Sequence, residues 1–146
     1  MARWRRIIHC TDFSRASSRA LTKALQVAKE SRAELVLLHV LQPVTPGLGY
    51  GYVLPSTYAA FEGAARQDAQ ARLARLVKRA HAAKVRARSL LLTGVPNEQI
   101  VRGARGADLI VMATHGRRGL PRLFLGSVAA RVVAQARCPV LTVRGR

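Results

Sequence analysis

A chain of 146 residues with 49% apolar side chains is the size of one domain, has material for a core, and is too hydrophobic to be disordered over most of its length. No apolar run is long enough to cross a bilayer and the basic start lacks the apolar stretch of a secretory signal. Two cysteines, Cys10 and Cys138, fit reduced thiols in a cytoplasmic protein and give no disulfide framework or metal site.

The first predicted strand is Arg5 to Cys10, centred on Ile7 and Ile8, and Thr11-Asp12-Phe13-Ser14 supplies turn and helix-capping chemistry. Leu21, Ala24, Leu25 and Ala28 then repeat as one face of an amphipathic helix. Glu34 to Leu41 is almost wholly apolar, as strands buried on both faces are. Residues 42 to 56 carry three prolines and three glycines around Tyr50 and Tyr52 and read as a long loop, placed to act as a flap. A helix follows from Thr57 to about His81, with Leu73, Leu76, Val77 and Ala80 inward. Val85 to Leu92 reads as the third strand. Pro96 opens a short helix, where its missing N–H costs little. Asp108 to Ala113 is the fourth strand. A helix from Gly126 to Ala136 turns Val128, Ala129, Val132 and Val133 to one side, and Pro139 to Arg144 forms the last strand. Alternating strands and helices imply right-handed crossovers and a parallel sheet covered on both faces. No linker or fixed-period repeat interrupts residues 1–146, so a single α/β domain is expected.

Between the fourth strand and its helix lies a basic, glycine-bearing loop, Ala113 to Ser127, containing Arg117, Arg118 and Arg122. Free backbone N–H groups at a helix start, a positive dipole end and nearby guanidinium groups are the components of a phosphate site. The net charge of +18 also concentrates here: seven arginines and no acid follow Asp108. Over the whole chain the charge would suit nucleic acid, but 21 of the 25 cations are arginine, which codon bias explains as well, and they are scattered as on solvated helix faces. Nucleic acid therefore ranks last among the expected partners. The P-loop pattern and the hydrolase nucleophile elbow are absent from the sequence, and the four histidines lack zinc-ligand spacing. His9 and His39 read as satisfied strand residues. No close pair of acids stands ready for acid–base work, so no catalytic residue is assigned.

Three segments read together: Ile7-Ile-His-Cys-Thr-Asp12-Phe-Ser14, then Asp108-Leu-Ile-Val-Met-Ala-Thr-His-Gly116 with Gly126-Ser127 beyond it, and Arg137-Cys-Pro-Val-Leu-Thr-Val143. Together they resemble the universal stress protein family, over essentially the whole chain, and in particular its nucleotide-binding branch within the adenine nucleotide alpha-hydrolase-like fold. That branch carries Gly-x-x-Gly-x9-Gly-Ser/Thr, matched here by Ala113, Gly116, Gly126 and Ser127. Two positions depart from the pattern: Ala113 stands for its first glycine, and Cys10 for the proline often found before Thr-Asp.

The resemblance implies a single open, Rossmann-like five-stranded sheet of order 3-2-1-4-5, with a ligand crevice where the order reverses between the first and fourth strands. It implies ATP as the ligand, with or without Mg, and a role as a stress-response regulator or signalling switch with at most slow hydrolysis. Thr11 and Asp12 would lie by the ribose or a phosphate-bound Mg; Asp12 reads equally well as a helix-start residue. Val40 would offer its backbone to the adenine, or be plain strand core. Met112, Ala113, Gly116 and Arg117 would approach ribose and phosphates. Gly126, Ser127 and Val128 would offer N–H groups, with the Ser127 hydroxyl on a phosphate. No protein-bound metal site is implied. A homodimer through the edge strand Val140, Leu141, Thr142 and Val143 is expected, and no membrane. The alternative, motivated by Ala113, is a family member that works by protein–protein contact without nucleotide.

Overall fold

The computed structural model describes residues 3–43, 54–115 and 125–145. In chain order these form β1 (Arg6–Cys10), α1 (Arg15–Ser31), β2 (Glu34–Leu41), α2 (Pro55–Ala82), β3 (Ala87–Thr93), α3 (Pro96–Gly103), β4 (Leu109–Ala113), α4 (Ser127–Gln135) and β5 (Val140–Val143). The sheet runs β3-β2-β1-β4-β5 with every neighbouring pair parallel, which is the expected order.

Side-chain alternation along the strands builds a core on each face of the sheet. Ile7, Leu35, Leu37, Leu109 and Val111 meet Leu21, Ala24, Leu25 and Ala28 of α1 and Leu73 and Ala80 of α2. The intervening residues Ile8, Cys10, Val36, Leu38, Ile110 and Met112 meet Ile100 of α3 and Ala129 and Val132 of α4. The three inner strands are therefore buried on both sides, and each fully covered leucine or isoleucine contributes about 1.5–3 kcal/mol by leaving water. Among the described residues no helix is long and apolar enough to cross a membrane.

Local chemistry sets the ends of the elements. α1 starts at Ser14, whose hydroxyl accepts the N–H of Ser17 at 3.1 Å. It stops where Arg32 turns left-handed (φ 56°) and Ala33 N–H reaches back to Ala28 O at 2.9 Å, the six-residue closure of a Schellman end. α2 begins at Pro55, two residues before the expected Thr57, because proline at a first helical position forfeits no hydrogen bond. β3 starts at Ala87, later than the expected Val85, because Val85 N–H still bonds Ala80 O at 3.0 Å. In α2, Leu73 and Ala80 are buried as expected, while Leu76 and Val77 are half covered. On α4, Ala129 and Val132 are buried, but Val133 is 47% exposed and does not belong to the inward face. One helix at the sheet edge covers a narrower stripe than the sequence periodicity allowed. Residues 44–53, which contain Tyr50 and Tyr52 of the expected flap, lie outside the described residues.

Candidate functional site

β1 and β4 are adjacent and parallel, in register from Ile7 with Leu109 to His9 with Val111, so their C-terminal ends open side by side. One end continues as Thr11-Asp12-Phe13, the other as Thr114-His115. The strand order reverses here, since β1 leads to β2 on one side and β4 to β5 on the other, leaving the crevice typical of open α/β sheets.

The β1–α1 turn is held by its own polar groups. Thr11 N–H bonds Leu38 O at 2.9 Å, and Thr11 O accepts the His39 ring Nδ1–H at 2.7 Å. Ser17 Oγ donates to Ser14 O at 2.9 Å, so the 3.1 Å contact between Thr11 and Ser17 is donated by the threonine. Thr11 Oγ1 in turn accepts Phe13 N–H at 3.0 Å. Thr11 is thus a buried structural post of the crevice. Asp12 is half buried, and its Oδ1 accepts Ser14 N–H at 2.9 Å, an Asx turn. The helix-capping role falls to Ser14, which leaves Asp12 at the crevice mouth as the residue that shapes the turn.

Phe13 was not singled out from the sequence, although it sits inside the quoted Thr-Asp-Phe-Ser segment. Its backbone is left-handed (φ 63°), a strained conformation for an aromatic residue. Its ring lies 4.4 Å from the His39 ring, and the Arg72 guanidinium stands 5.5 Å from its centroid. These contacts hold the strained elbow in place.

On the other wall, Met112 and Ala113 are buried in β4. Ala113 is not among the positive-φ residues, so its methyl replaces glycine without backbone strain. Gly126 abuts this wall. Its N–H donates to Thr114 O at 2.7 Å, and a Cβ built on it would stand 2.8 Å from that same oxygen. Only glycine lets α4 start so close to the strand end. Gly126 N–H was expected to face the ligand; it is instead consumed by Thr114 O. The first intrahelical bond runs from Ala130 N–H to Gly126 O, which leaves Ser127, Val128 and Ala129 N–H without acceptors inside α4, and among the described residues no side chain caps this end. Ser127 is exposed and Val128 half buried, both on the first turn. Val40 lies near the C-terminal end of β2, paired with Leu92 and packed against the core. Gly116 and Arg117 lie outside the described residues.

Two buried groups flank the site. His9 is fully buried, and its Nδ1–H donates to Val111 O at 3.2 Å. Its Nε2 has no partner among the described residues, so His9 is not the satisfied strand histidine expected. Burial drives its pKa from 6.5 down to about 4, with the Val111 bond opposing the shift. The Cys10 thiol, buried where the family pattern often has proline, is pushed up to about 12 by burial and is unreactive. Among the described residues no cluster of three or more His, Cys, Asp or Glu could hold a metal ion. A groove of about 810 Å³ lies elsewhere, beside the C-terminal ends of α3 and α4 and lined by Arg102, Arg105, Arg137 and Glu98; none of the described crevice residues lines it.

A family model for the universal stress protein family matches residues 3–144. A universal stress protein of Methanocaldococcus jannaschii is 37% identical over 145 residues, covering 97% of this chain and 82% of the relative. The structure of universal stress protein UspA from Lactobacillus plantarum superposes with a TM-score of 0.85 at 24% identity, over 99% of this chain and 100% of that one. A universal stress protein in complex with cAMP superposes with a TM-score of 0.73 at 25% identity, over 98% of each chain. With the sheet order, the crevice and the glycine seat at α4 already in place, these likenesses agree: the chain belongs to the universal stress protein family.

Proposed function

We propose that the crevice between β1 and β4 binds an adenine nucleotide, ATP in the first instance, and that occupancy serves as a stress-response signal. The observation that carries this reading is the seat of Gly126. Glycine there brings the start of α4 against the end of β4, so that the N–H groups of Ser127 and Val128, without acceptors inside α4, stand at its positive end beside the crevice. A triphosphate completes those donors, and the Ser127 hydroxyl adds another. Asp12 on the facing wall meets the ribose or a magnesium ion carried in by the phosphates. The relative solved with cAMP supports an adenylate in this fold. Hydrolysis is slow at most, because the Asp12 carboxylate is engaged with the turn and is poorly placed to activate water.

Titration calorimetry with ATP and Mg²⁺ tests the proposal. Binding heat is expected, accompanied by a rise of the thermal midpoint that grows with ligand concentration. No heat at millimolar ATP, and no movement of the midpoint, would favour a member that acts through protein contact alone.

The same reading includes a homodimer. β5 is the edge strand beside β4, short, apolar and only half buried, and such edges pair readily. Light scattering at micromolar concentration is expected to give twice the 15.9 kDa protomer mass. The protomer mass alone would rule the dimer out.

A further inference from the structure

Running outward from the β1–α1 turn, α1 and the C-terminal half of α2 carry an outer face rich in cations. α1 turns Ala20, Leu21, Ala24, Leu25 and Ala28 inward, so Arg15, Arg19 and Lys23 emerge together on its far side, all exposed. Spaced by four residues, they climb in steps of about 6 Å. α2 is fastened alongside: the Arg79 guanidinium donates to Ser18 Oγ at 3.3 Å and to Thr22 Oγ1 at 2.8 Å. Arg75, one turn before Arg79 on the same side of α2, and Lys78 are both exposed. Among the described residues none of these six cations forms an ion pair; the pairs found there are Arg6 and Arg88 with Glu34, and Arg72 with Asp68. Like charges one turn apart repel and weaken a helix, so the row is costly to the isolated fold.

We infer that this face binds the phosphate backbone of duplex nucleic acid without reading its sequence. Guanidinium groups match phosphate oxygens in shape and charge, and a duplex presents a negative charge about every 1.7 Å of its axis, enough to neutralise both rows. The exposed large apolar side chains, Leu54, Phe61, Val95, Leu125 and Val133, lie outside the face. Among the described residues a lipid surface would therefore find no large exposed apolar anchor among the cations, and unpaired bases no exposed ring to stack on. Along the sequence the cations read as scattered because the two rows lie in separate segments that come together only in the fold. This inference is independent of the nucleotide crevice.

The test uses the full chain and fluorescence anisotropy with a short mixed-sequence DNA duplex, titrated across a range of salt. Two triple variants each remove three exposed charges: R15Q/R19Q/R75Q on this face, and R102Q/R105Q/R137Q around the opposite layer. The first is expected to lower affinity at least tenfold and to flatten the slope of log K against log salt by about 2.7, at 0.9 per phosphate contact. The second should change both by less than half as much. Single R15Q and R19Q variants should each flatten the slope by about 1, which keeps the test decisive if a triple variant folds poorly. Equal losses in the two triples would reduce the effect to net charge and overturn the inference. So would no binding to the duplex at low salt, or tighter binding to single strands or to phosphatidylserine vesicles.

Discussion

Gly126→Asp is expected to abolish adenine-nucleotide binding while leaving the chain folded. The backbone at this position (φ −57°, ψ 152°) suits any L-residue, so the effect is one of contact rather than conformation. A Cβ here would stand 2.8 Å from Thr114 O, closer than real Cβ atoms come, and the start of α4 must retreat from β4. The carboxylate adds a second effect. Aspartate is a favoured N-cap, and α4 has no side-chain cap, so the new group accepts the N–H of Val128 or Ala129. It therefore occupies, as a built-in anion, the donors that the proposal assigns to phosphate. Helix stability gained from the cap, about 1 kcal/mol, offsets part of the steric cost. Gly126→Ala separates the two effects: it keeps the crowding without the charge and should weaken binding by roughly tenfold, about 1.4 kcal/mol. Calorimetry with ATP and Mg²⁺ reads both variants, with circular dichroism melting as the fold control. Wild-type affinity in Gly126→Asp would remove the start of α4 from the site.

The second large effect is acid destabilisation through His9. Folding lowers its pKa from 6.5 to about 4, chiefly by burial, so between those values the unfolded chain binds a proton that the folded chain refuses. Stability from this group is fully present above about pH 6.5 and is lost as pH falls toward 4. The loss approaches 1.4 kcal/mol per pH unit and totals on the order of 3 kcal/mol, a large part of a typical folding free energy. Chemical denaturation at several pH values measures it. His9→Phe, similar in volume and unable to titrate, should be nearly flat over the same interval. Asp108 does not confuse the comparison. Its carboxylate accepts Arg6 and Arg5 N–H, which holds its pKa below the usual 3.8, so its contribution disappears only at lower pH. Parallel curves for wild type and His9→Phe would show that His9 is not the origin.

Much of the fold was legible in local pattern. β2 was bounded correctly at Glu34 and Leu41 because a continuous apolar run admits few readings once its length is set. The crevice residues were also placed together: Thr11 and Asp12 end one wall, Met112 and Ala113 the other, and Gly126 starts the helix beside them. The sheet order came through family resemblance, since strand periodicity says nothing of which strand lies beside which. The misreadings share one cause. Whether Gly126 N–H faces a ligand depends on Thr114 O, and whether His9 is satisfied depends on Val111 and on what surrounds Nε2. Such partners are chosen by packing, and the identity of the residue does not announce them. The division of labour between Asp12 and Ser14 was hidden similarly, because both side chains suit a helix start and backbone geometry decides between them.

The central place of β1 has a consequence for how the chain comes off the ribosome. β1 pairs with β2 on one side and β4 on the other, and Ile7, Ile8 and His9 on that second side meet Leu109, Ile110 and Val111. β1 thus keeps one edge unsatisfied until a segment about 100 residues later has emerged, roughly 5–20 s at ordinary rates of synthesis. Over that interval β1, β2 and β3 with α1 and α2 can assemble on one face of the sheet, while the apolar row from Ile8 to Val36 and Leu38 still lacks α3 and α4. The nascent chain is most prone to stick to its neighbours at that stage; β4 then closes the open edge of β1, and α4, made later still, completes the cover of that face.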